Sequence, residues 1–109
     1  MKIATRGVEL TLATQVRAYV EYRMFSAVSR FGRACARLSI RLEELDSTRT
    51  APQYRCSVVL DLMPAGRVRA SATAHRLYAA IDAAADRLAS GVERRLIASC
   101  PGTETGAVQ

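Results

Sequence analysis

The chain has 109 residues, 50% of them hydrophobic and 24% charged, the composition of one ordinary globular domain and not of a disordered or fibrous chain. No apolar run is long enough to cross a bilayer or serve as a secretion signal. Three cysteines with a single histidine exclude the usual zinc patterns, argue against a disulfide framework and point to the cytoplasm. Formal net charge is +6, with a pI near 9.9, and fifteen of the sixteen basic residues are arginine, whose planar fork suits phosphate.

Met1 to Gly7 reads as a first strand, with Ile3 and Thr5 on one side and Lys2, Ala4 and Arg6 on the other. Thr11 or Thr14 is the expected cap of a helix in which Val16, Val20, Met24, Ala27 and Phe31 form an apolar stripe ending at Gly32. The period then falls to two. Ala36, Leu38, Ile40 and Leu42 are expected inward, alternating with Arg37, Ser39, Arg41 and Glu43. Glu44 to Gln53 reads as a loop. A third strand places Cys56, Val58, Leu60 and Leu62 inward, and Met63-Pro64-Ala65-Gly66 makes a tight turn. The fourth strand places Val68, Ala70, Ala72 and Ala74 inward against Arg67, Arg69, Ser71 and Thr73. A last helix runs from about Arg76 to Ile97 on a core face of Leu77, Ile81, Ala84, Leu88, Val92 and Leu96. Gly91 inside it reads as a soft spot, costing about 1 kcal/mol relative to alanine.

The order β-α-β-β-β-α gives an α+β two-layer sandwich, a four-stranded mixed sheet with two helices on one face. The first two strands, joined through a helix, should run parallel, and the remaining pairs antiparallel. Residues 1–97 form the domain, and 98–109 are expected to be a disordered tail.

The arginines suggest two candidate surfaces. On the first helix Tyr19, Arg23, Ser26, Arg30 and Arg33 flank the apolar stripe. On the last helix Arg76, Arg87 and Arg94 line one side, while Asp82, Asp86 and Glu93 gather on another. Solubility alone is served equally well by mixed charges, so the pair of helices is expected to form a groove edged with positive charge. The open sheet face, with Lys2, Arg6, Arg37, Arg41, Arg55, Arg67 and Arg69, is the second candidate. There the alternation with Ser39, Ser57, Ser71, Thr73, Asp61 and Glu43 dilutes the field.

Catalytic chemistry is not evident. Asp82 and Asp86 lie one turn apart without a third ligand, His75 has no nucleophile at a recognisable spacing, and the glycines form no phosphate loop. Tyr19, Tyr22, Tyr54 and Tyr78 could stack on bases, although Tyr78 lies beside the apolar stripe.

Thr5-Arg6-Gly7-Val8-Glu9-Leu10-Thr11, Arg17-Ala18-Tyr19-Val20-Glu21, Arg30-Phe31, Arg41-Leu42, Arg55-Cys56 and above all Leu77-Tyr78-Ala79-Ala80-Ile81-Asp82 resemble the bacterial ribosome hibernation-promoting factors and ribosome-associated inhibitors, in their short form. The resemblance covers residues 1 to about 96. It implies a domain like the double-stranded-RNA-binding fold, docked between head and body of the small ribosomal subunit against ribosomal RNA. There it blocks messenger RNA and the anticodon ends of transfer RNA, with no reaction catalysed and no cofactor, metal, membrane or small-molecule substrate. The family's basic helix positions fall on Arg17, Arg23, Arg30, Arg87, Arg94 and Arg95. With Arg33 from the stripe these are the expected RNA contacts, and Arg37, Arg41, Arg55 and Arg69 are secondary candidates. The alternative is a diverged module of the same fold that binds other RNA, or a protein partner through a sheet edge or the helix near Gly91. Departures from the family pattern are Asp46-Ser47-Thr48-Arg49-Thr50-Ala51 in place of a glycine-rich loop, Arg76 and Ser90 in the last helix, and Ile97-Ala98-Ser99-Cys100 in place of a basic end.

Overall fold

The computed structural model of the chain describes residues 2–8, 12–45, 52–63 and 66–99, and of Val8, Arg33, Ala98 and Ser99 the backbone alone. In order these form β1 (Lys2–Val8), α1 (Thr14–Val28), a 3-10 turn (Ser29–Ala34), β2 (Cys35–Glu44), β3 (Tyr54–Leu62), β4 (Gly66–Ala74) and α2 (Leu77–Ser99). The sheet order is β1-β2-β3-β4. β1 runs parallel to β2 because a helix carries the chain back between them, whereas β3 and β4 follow antiparallel. The two-layer α+β architecture expected from the periodicity is therefore the one observed.

Alternation along the strands places the core. Leu38, Ile40 and Leu42 of β2, Cys56, Val58, Leu60 and Leu62 of β3, and Val68 and Ala72 of β4 are buried on one face. Against them pack Val20, Met24 and Val28 of α1 and Ala80, Ile81, Ala84, Ala85, Leu88 and Val92 of α2. Each large aliphatic side chain so buried contributes roughly 1.5–3 kcal/mol. α2 lies over β3 and β4 and against α1, and α1 reaches β1.

Several details differ from the expected reading. The residue preceding α1 is Ala13, which offers no side-chain cap, so Thr14 is the first helical residue rather than its cap; Thr11 lies outside the described residues. α1 stops at Val28 and not at Gly32. The chain tightens into the 3-10 turn, which is kinked at Gly32 (φ 53), a positive φ that glycine adopts without steric cost. Arg30 and Phe31 thus sit on that turn. Ala36, expected inward, is exposed, and Cys35 is buried in its place. The register passes from Cys35↔Leu62 to Arg37↔Asp61, so Ala36 is the extra residue of a bulge. The β2–β3 pairing extends to Glu44↔Tyr54, with the Leu45 N–H donating to the Gln53 carbonyl at 2.8 Å; residues 46–51 of the expected loop, Pro64 and Ala65 of the turn, and residues 100–109 of the expected tail lie outside the described residues. α2 ends at Ser99, two residues past the expected boundary.

The largest difference concerns Gly91. Beyond its cost in helix propensity, it lies where α2 packs tightly on the sheet: a Cβ there would lie 3.0 Å from Val68 Cγ1. Contact at that distance, against a buried β-branched side chain with few alternative rotamers, offsets the helix propensity gained by alanine. Gly91→Ala should therefore leave stability in urea unchanged or lower it. In a Val68→Ala background the same substitution should stabilise by about 1 kcal/mol. An equal gain in both backgrounds would show that the close approach is not what glycine serves.

Candidate nucleic-acid interface

α1 and α2 meet side by side and run parallel, and their contacts keep one offset. The Tyr19 hydroxyl donates to Asp82 Oδ1 at 2.6 Å. Arg23 reaches Asp82 through Nε at 3.3 Å and Asp86 through Nη2 at 3.1 Å. Arg30 meets Glu93 at 3.5 Å. The Tyr19–Asp82 and Arg23–Asp86 pairs are both 63 residues apart, so the basic stripe of one helix zips onto the acidic stripe of the other. The Tyr19 and Tyr78 rings meet edge to face at 4.8 Å, and the Arg30 guanidinium sits 4.8 Å over the Phe31 ring. The positively edged groove expected between the helices is therefore absent: Arg23 and Arg30 are neutralised within the seam. Segregation of sign along each helix, visible in the sequence, serves helix docking.

Three other arginines expected to contact RNA reach the sheet edges. Arg17 Nη1 donates to the Thr5 carbonyl on β1 at 3.1 Å and stands 3.9 Å from Glu21, whose Oε2 also accepts the Thr5 hydroxyl at 2.8 Å. Across the sheet, Arg87 Nη1 donates to the Ser71 carbonyl at 2.6 Å and Arg95 Nη2 to the Arg67 carbonyl at 2.8 Å. Both edge strands thus offer backbone acceptors already occupied by guanidinium groups, which blunts strand addition. The side chain of Arg33 lies outside the described residues.

On the open face, the register aligns Lys2, Arg37, Asp61 and Arg67 in one row; Ala4, Ser39, Val59 and Arg69 in the next; then Arg6, Arg41, Ser57 and Ser71; and, beyond Val8, Glu43, Arg55 and Thr73. Arg55 pairs with Glu43 at 3.0 Å and Arg67 with Asp61 at 2.8 Å. The Arg55 hydrogen bond holds the Glu43 carboxyl below its ordinary range; burial opposes it, and the charges of Arg55 and Arg41 add smaller lowering effects. Among the described residues every carboxylate except that of Glu44 has an arginine partner. Because acids are consumed locally, the positive surplus collects elsewhere: on Lys2, Arg6, Arg37, Arg41 and Arg69 of the sheet, on Arg76 just before α2, and on Arg87 and Arg94 within it. None of these has a carboxylate within 4.0 Å among the described residues. Where the two sets meet, Arg67 and Arg69 of β4 and Arg94 and Arg95 of α2 line an open cleft floored by Val68 and Gly91. Gly91, absent from the site residues expected from the sequence, is part of the lining of this cleft.

Other chemistry is sparse. Cys35 and Cys56 are buried free thiols; burial pushes Cys56 up to about 12, so it stays protonated and unreactive. His75 Nδ1 lies 3.0 Å from the Pro52 carbonyl, which a protonated nitrogen there satisfies. Among the described residues no His, Cys, Asp and Glu side chains cluster in a way that could hold a metal ion, and no helix is long and apolar enough to cross a membrane.

Residues 2–96 match the protein family described as Sigma 54 modulation protein / S30EA ribosomal protein. The crystal structure of the Thermus thermophilus Protein Y N-terminal domain superposes with a TM-score of 0.72 at 30% identity, covering 86% of this chain and 98% of that one. A ribosomal subunit interface protein from Coxiella burnetii superposes with a TM-score of 0.74 at 13% identity, over 86% of this chain and 96% of that one, and shares the fold. No curated protein sequence matches.

Tyr19 ties the seam to pH. Its hydrogen bond to Asp82, together with burial and the Asp82 charge, raises its pKa above the ordinary 10.0, against a smaller opposing effect of Arg23. A raised pKa stabilises the fold below the unfolded value, and that stability is lost as pH rises through the folded value. Tyr19→Phe keeps the ring against Tyr78 and should cost about 1 kcal/mol in urea at neutral pH. The difference from wild type should hold up to about pH 10 and then close, because only the wild type still loses stability there. A gap that persists unchanged into strong alkali would rule out the hydroxyl–Asp82 bond as its source. Glu43 works in the opposite direction: its lowered pKa adds stability above the ordinary 4.5 that is lost as pH falls through the folded value.

Proposed function

Since the chain belongs to the family of sigma 54 modulation and S30EA ribosomal proteins, we propose that it is a cytoplasmic ribosome-associated factor that idles translation. In this reading it binds the small ribosomal subunit through phosphates of ribosomal RNA and occupies the space of messenger RNA and the anticodon ends of transfer RNA. It acts by occupancy, without catalysis, cofactor or small-molecule substrate. The observation that carries the reading is the α2–β4 cleft, where four guanidinium groups line one concave surface with no carboxylate among its lining residues. Arginine binds phosphate bidentately and without losing its charge, and fixed charges around a concavity focus potential better than scattered ones. The likeness to the Thermus thermophilus domain, at 30% identity over nearly its whole length, agrees with the family assignment on which this reading builds.

Of the arginines that the sequence nominates, the reading rests on Arg87, Arg94 and Arg95, joined by Arg69 of the sheet; Arg67 lines the same cleft but already holds Asp61. Arg23 and Arg30 act at one remove, by holding α2 in place through Asp82, Asp86 and Glu93.

Co-sedimentation with purified small subunits tests this. Binding should weaken with salt at a log–log slope of about −3.5 to −4.5 for five phosphate contacts. Arg94→Gln with Arg95→Gln should make that slope shallower by about 1.4 to 1.8 and relieve inhibition of a cell-free translation system. An affinity indifferent to salt, or a double variant that binds and inhibits like wild type, refutes the reading. Pre-treating the protein with a chelator should change neither binding nor melting temperature.

A further inference from the structure

The open sheet face carries a second concavity. A shallow trough of about 650 Å³ crosses the sheet, floored by the small side chains of Ala4, Ser39, Ser57 and Val59 and lined as well by Glu43, whose carboxylate is held by Arg55 at 3.0 Å. Arg6 and Arg41, register partners on β1 and β2, stand at one end of it. Arg69, paired across β3–β4 with Val59, stands at the other. None of these three arginines is ion-paired among the described residues. Arg69 also lines the α2–β4 cleft. The two concavities therefore share one side chain at the β4 edge, and a cationic path runs from Arg94 on α2, around that edge, to Arg6 on β1.

We propose that this path is a single track for one strand of RNA, held by its sugar–phosphate backbone, with Arg69 at the corner. The proposal rests on the RNA-binding reading above and specifies its ligand.

Three features select that ligand. First, the path turns around the edge of the sheet. It crosses about 14 Å of sheet, three gaps of roughly 4.8 Å between strands, and then turns onto the helix layer. A stiff duplex cannot follow so tight a turn, because nucleic-acid duplexes resist bending over tens of base pairs. A single strand can. Second, among the described residues no aromatic side chain lies on the open face: Tyr54 packs with the core on the other side of the sheet. Bases then have no ring to stack on, and sequence-tolerant backbone contact remains. Third, the face has little to hold an acidic protein. Protein interfaces depend on buried aromatic or large apolar anchors, and among the side chains described on this face only Ala4 and Val59 are apolar. Serine hydroxyls on the floor can donate to phosphate or accept from a ribose hydroxyl.

The test uses the full chain with fluorescent RNA. Oligo(U), oligo(A) and oligo(C) of about 12 nucleotides should bind with similar affinity and more tightly than an RNA duplex of equal length or a polyglutamate of equal charge. Arg6→Ser with Arg41→Ser, and separately Arg94→Ser, should each weaken the long oligomers about tenfold or more and make the salt slope shallower by about 0.7 for every phosphate left without its arginine. Oligomers of about four nucleotides occupy one arm at a time, so each variant should affect them far less. Arg69→Ser, at the corner, should remove the advantage of length. All of these side chains are exposed, and circular dichroism checks that each variant folds. Duplex or polyglutamate binding as tight as that of the single strand overturns the track, as does a long-oligomer affinity indifferent to Arg6 and Arg41. Co-sedimentation of the same variants separates the two proposals. Oligomer binding as described without small-subunit binding upholds the track and overturns the ribosomal reading. Small-subunit binding untouched by the sheet variants does the reverse.

Discussion

Tyr19, Arg23 and Arg30 on α1 meet Asp82, Asp86 and Glu93 on α2 at matching heights, and most of the surface chemistry follows from that seam. Exposed ion pairs contribute about 0–1 kcal/mol each, so the seam adds little to stability beyond the buried face beneath it. Its larger effect is on where charge is left over. Three carboxylates are paired between the helices, one with Arg17, and two on the sheet. Among the described residues, what remains without a partner of opposite sign is cationic apart from Glu44. The seam also sets the rotation of α2, since presenting Asp82, Asp86 and Glu93 to α1 turns Arg87, Arg94 and Arg95 toward β4.

That rotation has a steric partner. α2 packs tightly on β4 at residue 91, where a Cβ would lie 3.0 Å from Val68 Cγ1. The arginines of α2 then reach the backbone of the edge strand, where the Arg87 and Arg95 guanidinium groups find the Ser71 and Arg67 carbonyls. Guanidinium is suited to this double duty. One edge of its planar fork can satisfy a carbonyl while the remaining N–H groups stay available to an anion. An ammonium group carries the same charge without that geometry. The same residues that protect the sheet edge from strand addition thus line the cleft.

The fold is that of a ribosomal protein family, and its open face is strongly cationic. Positions on the open face that could have been polar and neutral are arginines in adjacent rows, with small residues between them to keep the surface concave. Long cations over a floor of alanine, serine and valine leave room for a backbone and, among the described residues, offer no ring for a base to stack on. Affinity of that kind is set by phosphate neutralisation and is sequence-tolerant, as suits a protein whose proposed role is occupancy.

The sequence by itself determined the element order, the mixed sheet, the faces of β1, β3 and β4, and the core stripe of α2, because periods of two and of 3.6 residues report which side of each element meets the core. It also separated the basic from the acidic side of α2. The residue that caps α1, the bulge at Ala36 and the 3-10 turn through Arg30 and Phe31 were not legible, since each is settled by how a segment end fits its neighbours rather than by the segment's own pattern. The site depended most on tertiary structure. In sequence the helical arginines look alike, but an arginine is available to a ligand only if no carboxylate from a distant part of the chain faces it. Arg23 and Arg30 meet acids 63 positions away, whereas Arg94 meets none among the described residues. Arg69, one outward strand arginine among several in the sequence, gains its place from lying where a helix and a sheet edge converge. Charge is a property of residues, but unneutralised charge is a property of their arrangement, and only the packing of α1 on α2 and of α2 on β4 decides it.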